Sequence, residues 1–188
     1  MNYKMMGRFL AQILFLEGLF MIPALLISFA CGDTGVVRSF LYTMALIAGL
    51  CALLFPICKG APSAFYATEG MICVALSWIV LSIVGCLPFR FSGEIPRFID
   101  AFFEIVSGFT TTGASILTDV EALSRGLLYW RSFSHWVGGM GVLVFLLAIA
   151  PSGDKGTGFT MHLLRAESPG PSVGKLVPKM RKTAAILY

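Results

Sequence analysis

Four stretches of this chain are apolar over the length of a bilayer, and that restricts its fold more than any other feature. They cover residues 9–30, 36–58, 71–89 and 127–150, each bounded by charge, Pro or Gly. Crossing the hydrocarbon core takes about 20 residues of helix. Backbone groups facing lipid must pair within their own segment, so the expected crossings are helices. Composition agrees with a bilayer as solvent. The 188 residues are 57% hydrophobic and 13% charged, with mean hydropathy +0.84, whereas soluble domains carry about 25% charge. The basic residues are scattered between apolar runs with no basic arm, which argues against a nucleic-acid partner.

Several local features have a plain reading. Lys4 and Arg8 precede an apolar run, but 9–31 is too long for a signal-peptide core and Glu17 interrupts it, so a retained helix is expected. Cys31, Cys51, Cys58, Cys73 and Cys86 fit no metal-binding spacing and read mostly as small hydrophobes. Two histidines and no convergent His/Asp/Glu group argue against an enzyme. The segment 153–156 has neither the length nor the context of a nucleotide loop.

A fifth apolar stretch, 98–109, spans only about 18 Å as a helix, half a crossing. Pro96 stands near its start, Asp100 in its first turn and Gly108 near its end, where a helix stop is expected. It leads directly into Phe109-Thr110-Thr111-Thr112-Gly113-Ala114-Ser115. Helix, half-helix, Thr/Gly loop, helix is the layout of a pore-loop unit. A potassium ion sheds its water in such a pore, and the carbonyls of an extended strand replace it. Gly113 permits positive φ, and the carboxyl end of the half-helix favours a cation. The expected fold class is therefore all-α membrane protein, with two leading transmembrane helices and one helix–pore-loop–helix repeat. The boundaries read as 1–66 for the leading pair, 67–150 for the repeat, 151–182 for a cytoplasmic linker and 183–188 for the start of another membrane helix. The sequence thus reads as a fragment.

With the amino terminus in the cytoplasm, nine basic residues fall inside, including Lys4, Arg8, Lys59 and all those after 150. Five fall outside: Arg38, Arg90, Arg97, Arg125 and Arg131. This satisfies the positive-inside rule.

The run from Asp100 to Ser115 resembles the first pore loop of the Trk-type potassium uptake transporters, the TrkH/TrkG/KtrB family. His135-Trp136-Val137-Gly138-Gly139-Met140-Gly141 resembles the start of the family's second pore-lining helix, and Leu164-Arg165-Ala166-Glu167-Ser168-Pro169-Gly170-Pro171 a family cytoplasmic loop. The helix pair before residue 71 is similar to the Trk subgroup. The resemblance implies potassium uptake across the cytoplasmic (inner) membrane through a carbonyl-lined selectivity filter. Its elements are Thr110, Thr111, Thr112, Gly113 and Ala114, with potassium on the backbone of Thr111, Thr112 and Gly113. Potassium is the transported substrate, and no cofactor is implied. The resemblance also implies a homodimer at full length and a cytosolic TrkA-type nucleotide-binding regulatory subunit. Ser at the first-repeat glycine goes with sodium transport in plant relatives, so Gly113 points to potassium. Family members carry four such loops and this chain contains one. A non-transporting fragment and a homotetrameric cation channel are the alternatives.

Other polar residues stay open at this point. Glu104 either adds negative field near the filter or accepts hydrogen bonds behind it. Asp119 and Glu121 either concentrate cations at the outer mouth or are solvated. Glu17 is expected near a helix end, outside the pore unit, paired or reaching the interface. Trp130 and Trp136 read as interface anchors, His135 as structural, and Gly138, Gly139 and Gly141 as close packing against the loop.

Overall fold

The structure, a computed structural model, describes residues 3–58 and 67–140. It contains six helices among these residues: α1 (Tyr3–Ala30), α2 (Thr34–Ile57), α3 (Ala67–Gly85), α4 (Leu87–Ser92), α5 (Phe98–Phe109) and α6 (Arg125–Met140). No strand occurs among the described residues, and the chain is an all-α membrane protein. Among the described residues, three segments are long and apolar enough to cross a membrane: Tyr3–Ala30, Thr34–Ile57 and Met71–Ser92. The expected fourth crossing is described only as far as Met140. Its remainder, Lys59, Gly141, the 164–171 motif, the linker and the last apolar residues lie outside the described residues.

The helices α1 and α2 form an antiparallel pair turned at Cys31–Asp33, and α1 also packs on α3 and α6. Both carry an internal proline, Pro23 and Pro56. In lipid such a proline is tolerated where neighbouring helices and side chains cover the freed backbone. Much of the outer surface is apolar, with Phe29 73%, Leu26 61% and Tyr42 63% exposed, which suits lipid rather than water.

The expected third crossing is not one straight helix. It breaks after Gly85 and resumes as the short α4. Pro88 explains the break, because it has no N–H to offer the carbonyl of Val84 one turn earlier. The break is tied by a distant residue: the Trp130 indole N–H donates to the Gly85 carbonyl at 2.9 Å. Trp130 is 1% exposed and spans α6 to α3, so it is a buried strut and not the interface anchor expected from sequence. Trp136, one face further round, is 44% exposed.

Candidate functional site: the half-helix and its loop

The short helix α5 runs over Phe98–Phe109, the bounds its apolar stretch suggested. Ala101, Glu104, Ile105 and Gly108 recur at three- and four-residue spacing and are buried against the bundle. Ile99 and Phe103 face outward, at 77% and 44% exposure. The buried face packs on α6, α3 and α4.

The helix ends differently from expectation. Gly108 is not the stop. It lies within α5, where an added Cβ would collide with the Ser134 hydroxyl of α6, so its role is close helix approach. The stop is Thr111, at φ 56. The Thr111 N–H donates to the Gly108 carbonyl at 2.9 Å, and the Thr112 N–H to the Ser107 carbonyl at 3.0 Å. These two bonds around a left-handed residue form a Schellman cap. A threonine there costs roughly 1–2 kcal/mol relative to ordinary backbone, and the two cap bonds hold it. Gly113 follows at φ 75, a conformation without a Cβ penalty only for glycine. Thr110 to Gly113 is therefore a compact turn in which two residues with positive φ flank Thr112, and not the extended strand read from sequence.

The carbonyls of this turn divide into two groups. The Thr111 hydroxyl donates to the Thr110 carbonyl at 2.7 Å, and the Ser107 hydroxyl to the Ala114 carbonyl at 2.5 Å. Between them, the carbonyls of Thr111, Thr112 and Gly113 accept no hydrogen bond among the described residues. All three residues are exposed. The five residues 110–114 thus lie in one turn, and three consecutive carbonyls in it remain open as acceptors.

A buried acid holds the segment that leaves the turn. Glu104 is fully buried. Its carboxylate accepts the Ser115 hydroxyl at 2.9 and 3.1 Å and the Ile116 N–H at 3.1 Å. It also pairs with the Arg131 Nε–H of α6. Of the two sequence readings, the hydrogen-bonding one describes where this carboxylate is engaged. Asp119 and Glu121 are exposed in the following loop, where Asp119 Oδ1 accepts the Glu121 N–H at 3.0 Å. They do not converge on the turn through any bond among the described residues. The Glu94 carboxylate accepts the Ser124 N–H at 2.9 Å, just before α6 begins.

Helix α6 forms the wall behind the turn. A Cβ on Gly138 would overlap the Phe109 carbonyl and Cα, while one on Gly139 would sit 3.8 Å from the Thr111 methyl. Both glycines pack against the loop as the sequence suggested. His135 donates from Nδ1 to the Arg131 carbonyl at 2.9 Å, a structural bond within α6. Glu17 is a correction: it is 2% exposed at the middle of α1, not near an end, and is buried against the pore unit. Sequence reasoning missed Arg131 and Ser107 as parts of the site. Arg131 carried a signal, because a cation four residues inside an apolar run calls for an acid partner. Ser107 carried none. No group of three or more His, Cys, Asp or Glu that would hold a metal is formed among the described residues.

An all-α membrane protein with a half-length helix ending in a braced polar turn is the class this architecture defines. Residues 36–188 match the TrkH cation transport protein family, and the chain belongs to that family. It is 35% identical over its whole length to the Trk system potassium uptake protein TrkH of Halomonas elongata, covering 39% of that protein. It is also 35% identical over its whole length to the TrkH of Escherichia coli, covering 38%. To the Trk system potassium uptake protein TrkG of Escherichia coli it is 38% identical over 64% of the chain and 24% of the relative. The chain therefore spans about two fifths of the TrkH relatives it matches throughout. The family is one of transporters, not enzymes.

Proposed function

We propose that this chain takes part in potassium uptake across the cytoplasmic membrane by supplying one element of a carbonyl-lined selectivity filter. The observation that carries the reading is the set of open carbonyls at Thr111, Thr112 and Gly113. They stand at the foot of a half-length helix, in a chain similar throughout to potassium uptake proteins. A dehydrated potassium ion needs several such oxygens, and backbone carbonyls supply them without fixed negative charge. The partial negative charge at the carboxyl end of α5 adds to the attraction. Thr110 and Ala114 shape the turn, since their own carbonyls are engaged by hydroxyls. Residues 67–150 form the repeat that presents the turn, with 1–66 as a leading pair and 151–182 as a cytoplasmic linker. One turn supplies too few oxygens to ring an ion, so the filter needs further loops of the same kind. In the assembled transporter the partners are a second copy and a TrkA-type nucleotide-binding regulatory subunit on the cytosolic side.

The test is Gly113→Ser in the full-length gene product, expressed in cells deficient in potassium uptake. At φ 75 a serine is strained, and its hydroxyl adds an oxygen suited to a smaller ion. The potassium-over-sodium uptake ratio should fall severalfold. An unchanged ratio with normal expression removes Gly113 from the filter.

A further inference from the structure

Glu17 is the buried acid that the filter reading does not use. It sits at the middle of the 28-residue α1, 2% exposed. Both of its carboxylate oxygens are buried with no hydrogen-bond partner among the described residues. They point at the break between α3 and α4: a Cβ on Gly85 would lie 2.9 Å from Oε1, in a space that Ile105 and Phe109 also border. The same carboxyl lines a cavity of about 10 Å³, with Phe20, Leu81, Phe109, Trp130 and Val137 among its walls. That is room for about one water molecule, but the walls are almost wholly apolar.

No cation faces it. On its own helix, Arg8 is nine residues away, about 13 Å along the axis. On α2 the nearby contact is Ile47, against Gly18. At the α3–α4 junction the nearest titratable group is the Cys86 thiol, which is engaged with the Ile83 carbonyl. On α5, Glu104 is committed to Arg131 of α6. His135, also on α6, is bonded to the Arg131 carbonyl. The α6 residues that line the cavity are Trp130 and Val137, on a different face from Arg131. The open oxygen of Gly85 is taken by the Trp130 indole.

An isolated charge in such surroundings costs many kcal/mol unless it is paired or neutralised. Intramembrane acids of this kind are rarely incidental. We propose that Glu17 is a proton-binding site inside the membrane, and that the neutral acid is what seats α1 against the break at Gly85 and the end of the half-helix at Phe109. The ligand is a proton, and the inference does not depend on which ion the family transports. Loss of the proton leaves a bare negative charge behind Phe109, the residue that leads into the Thr110 turn.

The test is infrared difference spectroscopy on the purified full-length protein in lipid. Wild type minus Glu17→Gln at neutral pH should show a carboxylic-acid C=O band that shifts in heavy water and is lost in the variant. Gln is nearly isosteric and neutral, so the variant should fold. Should it fail to fold, Glu17→Asp serves in its place, with the acid band displaced and not lost. Raising the pH should abolish the wild-type band and lower the melting temperature with it, because stability tied to a bound proton is present at low pH and lost on deprotonation. The Gln variant should show no such step. A carboxylate band removed by the substitution, or a melting temperature with the same pH profile in both proteins, overturns the proposal.

Discussion

Gly138 and Gly139 are neighbours in sequence and alike in composition, yet they sit in different surroundings. A methyl at Gly138 has nowhere to go, because it would overlap the Phe109 backbone, and backbone does not swing aside as a side chain does. A methyl at Gly139 meets only the Thr111 methyl at ordinary contact distance, 3.8 Å. Gly138→Ala should therefore displace the end of α5 and, on the proposed function, reduce potassium uptake by the full-length protein tenfold or more at normal expression. Gly139→Ala should stay within about twofold of wild type. Rubidium uptake in whole cells, normalised to membrane protein, measures both, and equal loss in the two variants rejects this packing. The same contrast explains what could be read at this scale beforehand. A run of glycines signals close packing, but which glycine touches backbone depends on the rotation of α6 against α5.

At the scale of elements, the site is three pieces held by one acid. Glu104 on α5 binds the Ser115–Ile116 segment and Arg131 on α6. Its burial means that removing the charge leaves Arg131 unpaired in a low-dielectric interior, a loss of about 3–5 kcal/mol. Glu104→Gln should lower stability by that order in a denaturant or thermal unfolding series. A double variant Glu104→Gln/Arg131→Met should recover part of the loss, since both charges are then gone. Additive losses would mean that the two side chains act separately. The half-length of α5 and its position before a Thr/Gly loop were legible in sequence, whereas the compact turn of that loop was not. The break of α3 at Gly85 was legible only in part. Pro88 stands at the break, but 71–89 reads as one apolar run through it, because hydropathy does not register a missing N–H.

For the whole molecule, the orientation we propose rests on the distribution of basic residues, with the amino terminus and the lysines on the cytoplasmic side. A cysteine placed at Asp119, which is exposed in the loop after the turn, should react with an impermeant thiol reagent added to intact cells. One placed at Lys175 should react only after permeabilisation. Both belong in a background with Cys31, the exposed native cysteine among the described residues, replaced. The opposite labelling pattern inverts the topology.

What the amino-acid sequence determined by itself was the solvent, the number and length of the apolar segments, and the place of the turn. Each of these follows from local facts: hydropathy over about 20 residues, the fixed rise of a helix, and the conformations that Gly and Pro allow. Tertiary structure decided which polar groups meet. Glu104 and Arg131 are 27 residues apart and form one ion pair. Trp130 reaches a carbonyl 45 residues earlier, and Glu17 comes to rest against Gly85 and Phe109. Such meetings depend on how helices are rotated and stacked against one another, and a pattern along one helix does not carry that information. The same physics separates the two acids. Each lies in an apolar stretch, but packing brought a cation to Glu104 and, among the described residues, none to Glu17.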